Sequence, residues 1–225
     1  MDCAGYNTAM ETIRIPIYPG ADVVFPGQLY PISIKSTGAR QMVRFCRELR
    51  YPLGVVFAPP TSGSNLARIG TLAYLMEPKS RATTVSSNVL VVGQTRFRIQ
   101  QLHYDRAYLE ATVQAWPWIQ EPRPEWYLVE QLGGYLHRYI AALSDILPPT
   151  LLPEMLISHT ATLGVLGAAL LQIPPQQKQS LLSMPTSRAL LIAVLRYMRV
   201  YVPIAERLAT MEPERQQAYE RIFFN

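Results

Sequence analysis

In the stretch IRIPIYPGADVVFPGQLYPISIK (13–35), Ile13, Ile15 and Ile17 alternate with Arg14, Pro16 and Tyr18. This is the period-two pattern of a strand with one buried face. Pro-Gly pairs at 19–20 and 26–27 interrupt it, because proline presets φ and glycine accepts the positive φ of a turn. Val23-Val24-Phe25 and Leu29 to Ile34 read as the next short strands. Pro16 and Pro31 suit edges or strand ends, since proline donates nothing to a ladder. A helix follows, capped by Ser36 or Thr37, with Met42, Phe45, Cys46 and Leu49 at i, i+3, i+4 and i+7. Strand patterns resume at PLGVVFA (52–58), ARIGTLAYLME (67–77) and SNVLVVGQTRFRIQQLHY (87–104), the last interrupted by Gly93 as at a bulge or tight turn. In YLEATVQAW (108–116), Leu109, Ala111, Val113 and Ala115 alternate with Glu110, Thr112 and Gln114, so the latter three are expected to face water. Strands interrupted this often bend, as a small closed barrel requires.

The period then changes. WPWIQEPRPE (116–125) reads as a linker. Beyond it Leu128, Leu132, Tyr135, Leu136, Tyr139 and Leu143 form a helical stripe. Gly133-Gly134 inside that stripe costs about 1 kcal/mol per residue relative to alanine, which predicts a kink or the close approach of another element. An apolar helix is expected around 153–171 and a short one after Pro174-Pro175. A fourth begins near Thr186-Ser187 and a last one covers 203–222, with Pro185 and Pro203 separating them. The expected architecture is α+β: a tail over 1–12, an antiparallel β domain with one helix over 13–117, and a linker with an α-helical bundle over 118–225.

Composition narrows the function classes. At 49% hydrophobic and 16% charged, the 225 residues can fill a core and still leave apolar surface for a partner. Residues 1–119 carry 12 Lys/Arg against 7 Asp/Glu, whereas 120–225 carry 9 of each, so the whole net charge of +5 sits in the first half. The N-terminus lacks the basic and apolar regions of a signal peptide, and the most apolar run, TATLGVLGAALLQIP, is short of the roughly 18–20 residues that span a bilayer. With Cys3 and Cys46 in no metal-site spacing, the expected setting is the reducing cytoplasm, with no membrane association.

The sequence contains no GxxxxGK[ST], HExxH, GxSxG or CxxC motif, so neither an enzyme nor a cofactor is expected. Two groups of side chains are candidates for binding. Trp116, Trp118 and Trp126 cluster around the linker and can anchor an extended polypeptide; the plainer alternative is packing between bundle and sheet. Arg40, Arg44 and Arg47 share one helix face and can meet an anionic partner; the plainer alternative is a solvated surface. The strand arginines Arg96 and Arg98 can simply face water, which weighs against a nucleic-acid surface.

Four segments in order carry a family resemblance. IPIYPGADVVFPGQLYPISI is similar to the Leu-Pro-Leu…Phe-Pro-Gly opening of the N-terminal substrate-binding domain of Lon proteases, and YPLGVVF, RIGTLAYLME and LVVGQTRFRIQ follow in the expected order. LLQIPPQQKQSLLSMPTSRALLIAVLRYM resembles that family's helical segment, bringing the coverage to about residues 13–200. SIKSTGAR departs from the acidic and aromatic segment common at that place. The resemblance implies a PUA-like β-barrel followed by a helical bundle, with Pro26 and Gly27 as fold determinants. It also implies a free-standing, non-enzymatic protein-binding module without ATPase or protease modules. Such a module would take unfolded or exposed apolar polypeptide, as an adaptor or holdase in quality control, with a separate protease as a further partner. RNA binding by the basic half is the rival expectation.

Overall fold

The computed structural model describes residues 12–59, 66–76, 88–120, 126–143 and 160–211. They divide into two compact units at Pro117/Trp118. Six strands and one helix build the first unit: β1 (Thr12–Gly20), β2 (Leu29–Ser33), α1 (Thr37–Glu48), β3 (Leu53–Phe57), β4 (Ile69–Leu75), β5 (Asn88–His103) and β6 (Glu110–Ala115). Four helices build the second: α2 (Trp126–Ala142), α3 (Thr160–Leu170), α4 (Pro175–Leu182) and α5 (Ser187–Ala209). The chain is therefore α+β, with a six-stranded sheet.

The strand order is β2-β5-β4-β3-β1-β6, and β5 also pairs with β6. The ladders among β1, β3, β4, β5 and β6 thus return on themselves, with β2 added outside this ring. Among these six strands β1 and β3 pair in parallel, and the other ladders are antiparallel. Sixteen residues let β5 serve three partners in turn: β2 over 88–92, β4 over 91–98 and β6 over 97–103. Neighbouring strand residues face opposite ways, and Val55 and Val56 accordingly enter two different cores. Val55 joins Val24, Ile32, Met42, Cys46 and Val91 beneath α1; Val56 joins Ile15, Ile17, Phe97, Ala111 and Val113.

Val23, Val24 and Phe25 are not a strand. All three are buried, which a one-faced strand forbids, and the amides of Val23 and Phe25 bond locally. The Val23 N–H donates to the Asp22 carboxylate at 2.7 Å and the Phe25 N–H to the Gln28 side-chain oxygen at 3.0 Å. Pro26 and Gly27 then turn the chain, with Gly27 at φ 82° and the Gln28 N–H donating to the Phe25 carbonyl at 3.1 Å. That is the type II arrangement, which needs glycine at its third position. The turn docks on β5: the Gly27 N–H donates to Gly93 O at 2.8 Å, and the Gly93 N–H donates to Gln28 O at 2.9 Å. A Cβ at Gly93 would lie 2.5 Å from the Phe25 carbonyl oxygen, so only glycine fits. The β4–β5 register shifts at this place, as Leu72 pairs Thr95 while Ala73 pairs Gly93.

Two further expectations are corrected in the first unit. Glu110 does not face water; it is buried, held by the guanidinium of Arg14 at 2.8 Å and by Arg106 at 3.4 Å. Leu49, expected on the apolar face of α1, is exposed, and Val43 takes a place in the core instead. Ser36 caps α1, its hydroxyl accepting from the Ala39 N–H at 3.1 Å.

In the second unit α5 packs against the other three helices. Arg199 donates to Gln131 at 3.2 Å and Arg138 to both Glu206 oxygens at 2.7 Å, and both links span 68 positions in sequence. Equal offsets mean that α2 and α5 run parallel. Pro203 does not separate two helices but lies within α5, on its exposed side. The helix continues because Met198, Val202, Ala205 and Leu208 prolong the buried stripe, offsetting the lost hydrogen bond. Gly133 and Gly134 mark no approach of another element: a Cβ at either position meets no described atom within 4 Å, and α2 passes through both. The expected helical positions at 153–159 and 212–222 lie outside the described residues.

Candidate functional site

The three tryptophans occupy different settings. Trp116 follows β6, and its N–H donates to the Arg96 carbonyl at 3.0 Å. Its ring carries two guanidinium groups, those of Arg96 and Arg98 at 4.1 and 4.4 Å from the centroid. Arg96 is therefore not a solvated strand arginine: it is 1% exposed and stacked on indole. Burial, and then the adjacent charge of Arg98, lower its pKa to about 10. Trp118 belongs to the second unit and is half-buried. Beside it the Ile119 N–H donates to Pro185 O at 3.1 Å, and the Ser187 N–H to Ile119 O at the same distance, tying the segment to the start of α5. Trp126 opens α2 and is 75% exposed.

On α1, Arg40, Arg44 and Arg47 are all exposed, as their i, i+4, i+7 spacing implies. They differ in company. Arg40 donates to the Thr37 hydroxyl at 3.3 Å. Arg44 pairs with Glu48 at 2.7 Å, and this hydrogen bond holds its pKa above the usual value. Arg47 instead lines a concavity of about 370 Å³ shared with Arg50, Tyr51, Tyr74 and Met76. A second concavity, about 460 Å³, lies where β5 runs past the start of β4, with Arg68, Arg98, Gln100 and Leu102 in its wall.

Helical spacing could not reveal the partners of Arg47. Arg50 joins it because α1 ends in a left-handed residue. Arg50 has φ 49°, and the Tyr51 N–H donates back to Cys46 O at 2.8 Å, a helix stop usually built with glycine. Tyr74 and Met76 join it because β4 outruns β3. The last β3–β4 pair is Leu53 with Ala73, whereas β4 stays on β5 through Leu75. Cys46 forms part of the floor; burial pushes its thiol up to about 12, so it remains protonated.

The model of the ATP-dependent protease La (LON) substrate-binding domain matches residues 14–200. The chain belongs to this family. Among its relatives is the Lon protease of Phenylobacterium zucineum (strain HLK1), 27% identical over 226 residues. That alignment takes in 90% of this chain but 27% of the relative, so the chain spans about a quarter of the curated protein it matches. Two solved structures share the fold. The Lon N-terminal domain protein of Xanthomonas campestris superposes with a TM-score of 0.61 at 20% identity, covering 83% of this chain and 99% of that one. The N-terminal domain of the Mycobacterium avium complex Lon protease gives 0.62 at 16%, covering 84% and 100%.

Proposed function

We propose that this LON substrate-binding domain protein is a polypeptide-recognition module that performs no hydrolysis itself. In this reading it acts in the cytoplasm as an adaptor or holdase in protein quality control and passes captured chains to a separate protease. The observation that carries the reading is the match of residues 14–200 to a domain defined by substrate binding. The closed ring of ladders among β1, β3, β4, β5 and β6 supports a further reading of the first unit as a PUA-like barrel. No described helix is long and apolar enough to cross a membrane.

Trp116, Trp118 and Trp126 are the proposed apolar anchors, and exposure puts Trp126 first. With Tyr127 and Ile119 also exposed, it adds aromatic and aliphatic surface that a folded chain gains by covering. The test is fluorescence anisotropy of the purified protein with two labelled probes, a permanently unfolded polypeptide and a single-stranded RNA, at low and physiological salt. Polypeptide binding that persists at physiological salt is expected. Binding of RNA alone, falling steeply as salt rises, would replace this reading with phosphate recognition by the basic half.

A further inference from the structure

The concavity at the end of α1 has an unusual combination of walls. Arg47 and Arg50 are both exposed, and among the described residues no carboxylate lies within ion-pair distance of either. Arg44 and Arg14, by contrast, are matched, the one by Glu48 and the other by Asp105 and Glu110, and Arg40 meets only the Thr37 hydroxyl. Facing the two unmatched cations are the exposed side chains of Tyr74 and Met76. Backbone groups face the same way. The Met76 N–H donates to Leu90 O at 2.9 Å, toward β5, so strand alternation turns the N–H and C=O of Leu75 to the other side. That side is where β3 has already ended, since Tyr51 has bent away to bond Cys46.

Holding Arg50 at φ 49° sharpens the point. A β-carbon in the left-handed region is strained, and glycine would remove that strain. The stop motif itself uses only backbone groups, so it does not require the guanidinium. What arginine adds at this position is a second cation beside Arg47.

We infer that this concavity takes an extended, acidic and apolar segment of a partner polypeptide, with side-chain carboxylates on Arg47 and Arg50 and an apolar neighbour on Tyr74 and Met76. The choice rests on charge complementarity. Guanidinium groups bind carboxylates through paired hydrogen bonds, methionine adapts to varied apolar side chains, and the edge at Leu75, which no described strand pairs on the side away from β5, favours an extended chain. This inference deepens the polypeptide-recognition reading and rests on it.

The test uses two labelled peptides that alternate leucine with either aspartate or asparagine, both amidated at the C-terminus so that only side-chain carboxylates differ. They are titrated against the full chain and its Arg50→Gly and Arg47→Gln variants. The aspartate peptide is expected to bind about tenfold more tightly than its asparagine counterpart, and each variant is expected to lose most of that advantage. Arg50→Gly is informative because it relieves the backbone: its melting temperature is expected to rise while its affinity falls. Retention of the full advantage by Arg50→Gly overturns the inference. Equal binding of both peptides to the unaltered chain also overturns it but leaves polypeptide recognition standing. No binding of either peptide, or of an unfolded polypeptide, overturns both.

Discussion

Glycine and proline do opposite work in the turn docked on β5 and in helices α2 and α5. In the first, they are fixed by contacts: Gly93 lies against the Phe25 carbonyl, and Pro26-Gly27 makes the turn that docks there. In the second, Gly133 and Gly134 border open space and Pro203 sits inside a continuous helix. The sheet unit thus has positions where one residue type alone satisfies geometry. The helical unit has one such approach, at Gly167 of α3, where a Cβ would lie 2.6 Å from Val194 Cγ1, but its α2 and α5 carry residues that weaken them and are held by their buried stripes. Glycine in a sequence therefore marks either a tight approach or a tolerated weakness, and only the neighbours distinguish them.

Substitutions can break this contrast. The largest effect is expected at Gly93→Val: a branched side chain against a backbone oxygen should cost about 3 kcal/mol or more, read as a lower urea midpoint or failure to fold. Pro203→Ala should act in the opposite sense, restoring a helical hydrogen bond on the exposed side of α5 and adding up to about 3 kcal/mol in the same measurement. Gly133→Ala and Gly134→Ala should each add about 1 kcal/mol and combine in the double variant. If Gly93→Val were harmless, or the Gly133 and Gly134 variants destabilised the fold, the two units would not differ as described.

The smallest expected effect is electrostatic. Asp105 is held below its ordinary value of 3.8, chiefly by its hydrogen bond to Arg14. A depressed carboxylate contributes stability above its unfolded value, and that contribution disappears as pH falls through the folded value. Stability followed from pH 7 downward should therefore decline below about pH 4, and Asp105→Asn should make this acid limb shallower.

Much of the fold was legible because its strands obey simple alternation. Thr12 to Pro16 and Glu110 to Gln114 pair with each other, Ile15 opposite Ala111 and Ile13 opposite Val113. The misreadings have physical causes. Val23 to Phe25 are as apolar as a strand, but side-chain and turn hydrogen bonds take the place of a ladder. Glu110 holds a polar position in the alternation, yet Arg14 and Arg106 neutralise it and permit burial. Pro203 resembled a helix start because local rules do not weigh the buried stripe on both sides of it. The basic face of α1 was visible in the spacing of Arg40, Arg44 and Arg47. The concavity at its end was not, because Arg50, Tyr74 and Met76 are joined by a left-handed helix stop and by the unequal lengths of β3 and β4.

Polypeptide recognition by this chain is tested most directly by amide hydrogen exchange with and without a saturating, permanently unfolded polypeptide. Slower exchange is expected in Arg47–Tyr51, in Tyr74–Met76 and around Trp126, with the interior of the sheet unchanged. Unaltered exchange at every amide would contradict such recognition.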